Sequence, residues 1–364
     1  MKINRNDLND HFVEKSTIVT KDKSRLIINQ DARRVAQFLI KLRKVAQICG
    51  MYEQGLEIPK GRINTKGLVK VEKKQCKNLI KILLRFQLAD FEELREIYPE
   101  HRFCPYTEAL LSALVENKYF DIISYWRTFG TLRDDHALSM ENIVMSVRDK
   151  VTGNEFKATV SKHERAANKN SREAWSYIRN LFRRYARLLV VRVDFHYRVE
   201  FSKGPEKVTF EEAREHRTKL LRSMRYRKEF KCLAGMIWKV EYAPFKGYHI
   251  HGIFFFDGNK RKNIYPVCVG LSDFWVHEVT KGKGYTYAID PKVHNYKYPC
   301  VGMVEYHEGD KLKGLRFAVD YLAKVDYLAK LNVPGRLFGR MVVKPLQGKK
   351  MGRPRLRESS LEIV

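Results

Sequence analysis

Two histidines stand one residue apart in "YHIHGIFFFDG", residues 248–258, at the head of an apolar run. On a strand, side chains at i and i+2 project to the same face, so His249 and His251 would stand side by side. The preceding run "AGMIWKVEYA" reads as a partner strand, joined to the first by "PFKG", a short turn containing Pro and Gly. With that turn centred near Phe245, Glu241 falls opposite His249 on the same face, with Cβ atoms roughly 5 Å apart. Two imidazoles and a carboxylate then converge without help from a long loop. Mixed N/O ligands of this kind suit Mg²⁺, Mn²⁺ or another divalent first-row ion, with coordination positions left open for a substrate oxygen. The same residues also fit an ordinary core strand, with one histidine ending a hydrogen-bond network and Glu241 at the surface.

A second set of reactive side chains lies in "DYLAKVDYLAK", residues 320–330, which has an uninterrupted helical pattern and a direct repeat. Tyr321 and Lys324 are three apart, as are Tyr327 and Lys330, and such pairs share a helix face. A neighbouring ammonium favours phenolate over phenol, which makes such a tyrosine a plausible nucleophile. Amphipathic packing explains the same spacing equally simply. Residues six apart on a helix lie about 120° apart around its axis, so Tyr321 and Tyr327 would not share a face. Tyr321 is the preferred nucleophile, and Tyr327 is a second candidate.

The elements around these residues predict an α+β architecture. Residues 1–150 read as a mainly helical region. Within it, "DARRVAQFLIKLRKVAQICGMY" carries Val35, Phe38, Leu39, Leu42, Val45 and Ala46 at amphipathic spacing. Residues 151–171 are polar and charged, the composition of a linker or an exposed helix, and Ser171 has the look of an N-cap for the helix that follows. From there to about residue 345, strands alternate with helices that are each apolar on one side, which suggests a central antiparallel sheet flanked by helices. Thr209 and Glu212 have the spacing of a capping box. In "LLVVRVDFHYR" the residues Arg192, Asp194 and His196 alternate on one face, and Asp194 is a candidate to orient a ligand histidine. Residues 346–364 have few core formers and read as a flexible basic tail.

Composition narrows the partner. The 364 residues carry a formal net charge of +28, an excess that favours a polyanion, with nucleic acid ahead of an acidic membrane surface. Six scattered cysteines with no C-x-x-C pair argue against a zinc ribbon or redox dithiol and fit a reducing cytosol. The N-terminus lacks an apolar signal segment, and no apolar run reaches the roughly 20 residues of a membrane helix. A cytoplasmic protein without membrane contact is expected.

Taken in order, "LLVVRVDFHY", "VEYAPFKGYHIHGIFFFDG", "AVDYLAKVD" and "GRLFGR" resemble the HUH endonucleases that start rolling-circle replication. More narrowly, residues 172–345 are similar to the replication initiators of filamentous phages (inovirus gene-2 type). That resemblance implies an HUH nickase domain in which Glu241, His249 and His251 hold Mg²⁺ or Mn²⁺. It implies that Tyr321, supported by Lys324, cuts one strand of origin DNA, leaving a 5′-phosphotyrosine and a free 3′-OH, and that the strand is later rejoined. A polymerase of the bacterial host would extend the 3′ end. No G-x-x-x-x-G-K-[ST] motif is present, so unwinding would fall to a separate helicase. Arg336 and Arg340 of "GRLFGR", with Lys349, Lys350, Arg353 and Arg355 of the tail, are candidate DNA contacts. Two other readings stay open on the residues alone: a metal-dependent nuclease that uses water, and an origin-binding regulator without catalysis. The N-terminal region, whose helices could hold duplex DNA, matches no motif.

Overall fold

The computed structural model describes residues 17–19, 26–28, 30–51, 79, 82–202, 204–224, 226–243, 246–289, 300–324 and 328–342. These fall into two units. One contains 17–166 together with 328–332, and the other contains 167–324 together with 333–342.

The first unit is mainly helical, as the periodicity predicts, with short strands added. A small hairpin, β1 (Thr17–Val19) and β2 (Leu26–Ile28), precedes the helices α1 (Gln30–Gly50), α2 (Leu88–Ile97), α3 (Pro105–Glu116), α4 (Tyr119–Phe129) and α5 (Asp134–Thr152). Between α2 and α3 lies β3 (His101–Phe103). The expected stripe of α1 is buried, and it meets Leu110 and Leu114 of α3 and Ile143 and Val147 of α5 in one core. Phe38 packs edge-to-face on Phe86 and Phe91, and Tyr119 Oη donates to the Leu83 carbonyl at 2.5 Å.

Of the two readings of residues 151–171, linker or exposed helix, the helix is the one observed from 154 on, as part of α6 (Asn154–Arg184). Charged residues there are solvated along a helix instead of a coil, with pairs such as Lys169–Glu173 at i,i+4. Ser171 is therefore not an N-cap. It sits inside the helix, 2% exposed, and hydrogen-bonds a distant carboxylate.

The second unit is built on an antiparallel sheet of β4 (Arg187–Tyr197), β5 (Leu233–Ala243), β6 (Gly247–Asp257), β7 (Gly284–Ala288), β8 (Gly302–Glu305) and β10 (Phe338–Arg340). Its order is β10-β5-β6-β4-β7, and β8 pairs with the start of β4 on the edge that β7 uses further along. Helices α7 (Phe210–Ser223), α8 (Tyr265–Asp273) and α9 (Gly309–Lys324) complete the unit. The mixed α+β class read from the sequence is the one observed.

Alternation splits the sheet into two faces. One face carries Leu188 and Val190 of β4, Ile237 of β5, and Ile253 and Phe255 of β6. It is covered by Trp175, Ile178 and Phe182 of α6 and by Leu315, Val319 and Leu322 of α9. On the other face, Phe195 packs on Phe254 and on the fully buried Trp275, which lies in a π-helical turn (Phe274–Val279) after α8. Thr209 caps α7 by accepting from the Glu212 amide, as expected. The Glu212 carboxylate, however, turns to Lys283.

One expectation near the C-terminal end changes. Helix α9 is described as far as Lys324, and Ala329–Leu331, expected as helix, form β9, which pairs antiparallel with β3. Leu328 and Ala329 are buried in the helical unit, so tertiary burial prevails over a strong local helical preference. Tyr327 and the tail residues Lys349, Lys350, Arg353 and Arg355 lie outside the described residues, as do the side chains of Tyr321 and Lys324.

Candidate metal centre and its surroundings

Glu241 pairs opposite His249 across the β5–β6 ladder, and Lys239 pairs opposite His251. This is the register that the short turn predicts. The sheet departs from plain alternation only in composition. The face that is apolar at Leu188, Val190, Ile237 and Ile253 becomes polar further along the same strands, at Arg192, Asp194, His196, Lys239, Glu241, His249 and His251. The turn itself needs Gly247, whose φ of +61° lies in the left-handed region and whose Cβ position would meet the Ser202 backbone at 3.2 Å.

Glu241, His249 and His251 are 4%, 3% and 7% exposed, and one ligand atom from each lies within 4.8 Å of the others. Glu241 Oε2 is 3.2 Å from His251 Nε2 and 3.7 Å from His249 Nε2. His249 Nδ1 is 3.1 Å from the Gly247 carbonyl, to which it can only donate, so the proton sits on Nδ1 and the Nε2 lone pair faces Glu241. Glu241 Oε2 is also hydrogen-bonded with His251 Nε2 at 3.2 Å, so the same oxygen faces both rings. His251 Nδ1 lies 2.9 Å from Asp194 Oδ1, close enough for an ion pair although not aligned as a hydrogen bond. That contact leaves His251 Nε2 aimed at the cluster, as in carboxylate–histidine–metal triads. One carboxylate oxygen and two imidazole nitrogens fit a divalent ion with open positions.

Electrostatics separate the histidines. Burial holds His249 below its ordinary pKa. It acts the same way on His251, but Asp194 and Glu241 outweigh it and raise the pKa of that ring. Asp194, although buried, is held below the usual carboxylate range by His251 and by Arg192, whose Nε lies 3.5 Å away. His196 is pushed well below its ordinary value by burial and then by the charge of His249.

Sequence reading left His196 without a role. Its ring lies parallel to that of His249 at 5.2 Å and to that of Tyr285 at 5.1 Å. Its carbonyl accepts from Trp275 Nε1 at 3.0 Å, which ties this point of β4 to the π-helical turn. His196 is not among the residues whose ligand atoms converge. The only available signal was its i+2 spacing from Asp194.

Tyr321 lies in the last turn of α9, and its neighbours Val319 and Leu322 pack on the sheet face that carries the cluster. Arg340 ion-pairs with Glu173 at 2.9 Å, and the Arg336 carbonyl accepts from Arg217.

Residues 150–273 match the YagK/YfjJ C-terminal domain family, and this span contains β4, β5 and β6 with Asp194, Glu241, His249 and His251. The match covers 124 of the 364 residues and ends before the helix that bears Tyr321. No curated protein and no solved structure matches the chain. Among the described residues, no helix is long and apolar enough to cross a membrane.

Proposed function

We propose that this chain is a nicking and joining enzyme of the HUH type, which starts rolling-circle replication on single-stranded origin DNA. The observation that carries this reading is the buried convergence of Glu241, His249 and His251 on the sheet face against which Val319 and Leu322 of α9 pack. A net charge of +28 supports a polyanionic substrate. A divalent ion, Mg²⁺ or Mn²⁺, held by the three residues would supply Lewis-acid polarisation of a phosphodiester.

The chain's own residues do the rest. The Tyr321 oxygen attacks phosphorus, a P–O bond to tyrosine forms, and the bond to the 3′ oxygen breaks. That oxygen leaves as a free 3′-OH, gaining one proton for the one that the tyrosine hydroxyl gives up. Lys324, three residues on in the same helix, favours the phenolate. Rejoining is the same exchange in reverse, and it needs no nucleotide because the phosphotyrosine keeps the ester bond. Host polymerase would extend the 3′ end, and a separate helicase would open the duplex, in the cytoplasm of a bacterial host. Asp194 would orient His251, while Arg336, Arg340 and the basic tail would hold phosphates.

The test is a covalent-adduct assay with Mn²⁺ and labelled single-stranded fragments of the element's non-coding DNA. A protein-linked label that disappears in Tyr321→Phe and in His249→Ala is the expected result. Loss in Tyr327→Phe alone would move the nucleophile to Tyr327. Cleavage without adduct would instead favour a nuclease that uses water.

A further inference from the structure

The Glu241–His249 pair is the start of a row that crosses four strands. Glu241 pairs with His249 across β5 and β6, and His196 pairs with Tyr285 across β4 and β7. The His249 and His196 rings are stacked at 14°, and the His196 and Tyr285 rings at 16°. The row therefore begins at the candidate metal ligands and ends in an aromatic ring on β7, the last strand of the sheet among the described residues. Tyr285 is 43% exposed although one face of its ring is stacked on a buried histidine. Tyr287 lies on the same sheet face one row along, opposite Asp194. Arg198 and Lys281, near in sequence to the pairing partners of β7 and to its start, are exposed cations.

A flat ring stacked on a buried histidine, yet 43% exposed and near exposed cations, suits a planar apolar ligand with an attached charge. Strand spacing puts Tyr285 roughly 10 Å from the histidines of β6, about the distance from a base to a neighbouring backbone phosphate. We propose that Tyr285 is a stacking platform for one unpaired base of single-stranded DNA and sets which phosphodiester reaches the Glu241/His249/His251 cluster. This deepens the nicking assignment and rests on it. Stacking of this kind tolerates any base and excludes duplex, whose bases are already stacked.

The experiment uses the full chain and a twenty-residue thymidine oligonucleotide carrying one 2-aminopurine, read by anisotropy and by fluorescence. The proteins are wild type, Tyr285→Phe and the bulk-preserving Tyr285→Leu. Stacking predicts quenching of the aminopurine by wild type and Tyr285→Phe. Tyr285→Leu should lose the quenching and bind single strand roughly 5- to 150-fold more weakly. Duplex binding and Mn²⁺ binding should be unchanged in all three. Equal single-strand affinity and quenching in Tyr285→Leu overturns the proposal, as does a loss shared equally by duplex, which would mark a merely structural role. If wild type forms the phosphotyrosine adduct yet Tyr285→Leu binds normally, only the stacking assignment fails. If wild type neither binds single strand nor forms an adduct, the nicking assignment and the stacking assignment fail together.

Discussion

Ser171 and Asp320 are 149 positions apart in the chain, and they share a hydrogen bond with both residues 2% exposed. The bond joins the middle of α6 to α9 one residue before Tyr321. Asp320 also accepts from Arg316 at 3.3 Å, and the Arg316 guanidinium lies 5.3 Å from the Trp175 ring centroid on α6. The proposed nucleophile thus follows directly on a clamp between the two helices that cover the sheet.

Removing that clamp leaves a carboxylate oxygen with less than it had. Ser171→Ala should cost about 1–3 kcal/mol in urea unfolding. It should also slow adduct formation without abolishing it, since the tyrosine remains. An unchanged unfolding midpoint would show that water replaces the hydroxyl.

Metal binding should appear in stability. With free Mn²⁺ at a hundred times its Kd, the sheet-bearing unit should gain about 2.7 kcal/mol. His249→Ala, His251→Ala and Glu241→Gln should each lose that gain in thermal melts run with and without the ion. A gain that survives all three changes would place the ion elsewhere.

Asp194 acts on the cluster through His251. Asp194→Asn should weaken Mn²⁺ binding about 10- to 100-fold by titration calorimetry while leaving the three ligands in place. Affinity equal to wild type would reduce Asp194 to a partner of Arg192.

Gly252 sits between two strands where a Cβ would stand 2.8 Å from Phe254 Cε2 and 3.2 Å from the Val193 carbonyl. Gly252→Ala should destabilise by about 1–3 kcal/mol through overpacking. Because Gly252 follows His251, a loss of Mn²⁺ affinity should accompany it. Stability equal to wild type would mean that the neighbouring rings yield freely.

Tyr177 provides a pH-dependent test away from the histidines. Burial raises its phenol to about 12, and its oxygen accepts from the Met236 amide at 3.1 Å beside the bulge in β5. The folded chain holds this proton more tightly than the unfolded chain does. Its stabilisation is therefore complete below pH 10 and is lost as pH rises from about 10 to 12, by about 1.4 kcal/mol per unit. Tyr177→Phe should be less stable at neutral pH but should show a shallower decline over that window in chemical denaturation. Parallel declines would show that Tyr177 titrates normally.

The hairpin was the most legible part of the sequence, because a short turn and a period of two leave little freedom. Once Gly247 closes the turn, Glu241 must face His249. The row that continues to His196 and Tyr285 was not legible. Those residues lie on β4 and β7, far apart in the chain, and local pattern says nothing about strand order. Helical preference misled at the C-terminal end. Residues 329–331 continue an excellent helical pattern yet form a strand, and Leu328, Ala329 and Leu331 are buried there. Asp194 could be proposed from its spacing alone, but its contact with His251 depends on the β4–β6 register.

The pairing of β9 with β3 has a consequence for dissection of the protein. His101 lies opposite Leu331 and Phe103 opposite Ala329, so a strand encoded after the proposed nucleophile completes a unit encoded almost wholly before it. The chain crosses into that unit and returns within a few residues. A deletion that starts the protein at residue 172 would strip β9 of its partner and expose Leu328, Ala329 and Leu331. Cutting the other way would leave β3 with an open edge. The helical half is stitched in rather than appended, and its contribution is better sought by point substitution along β3 than by truncation.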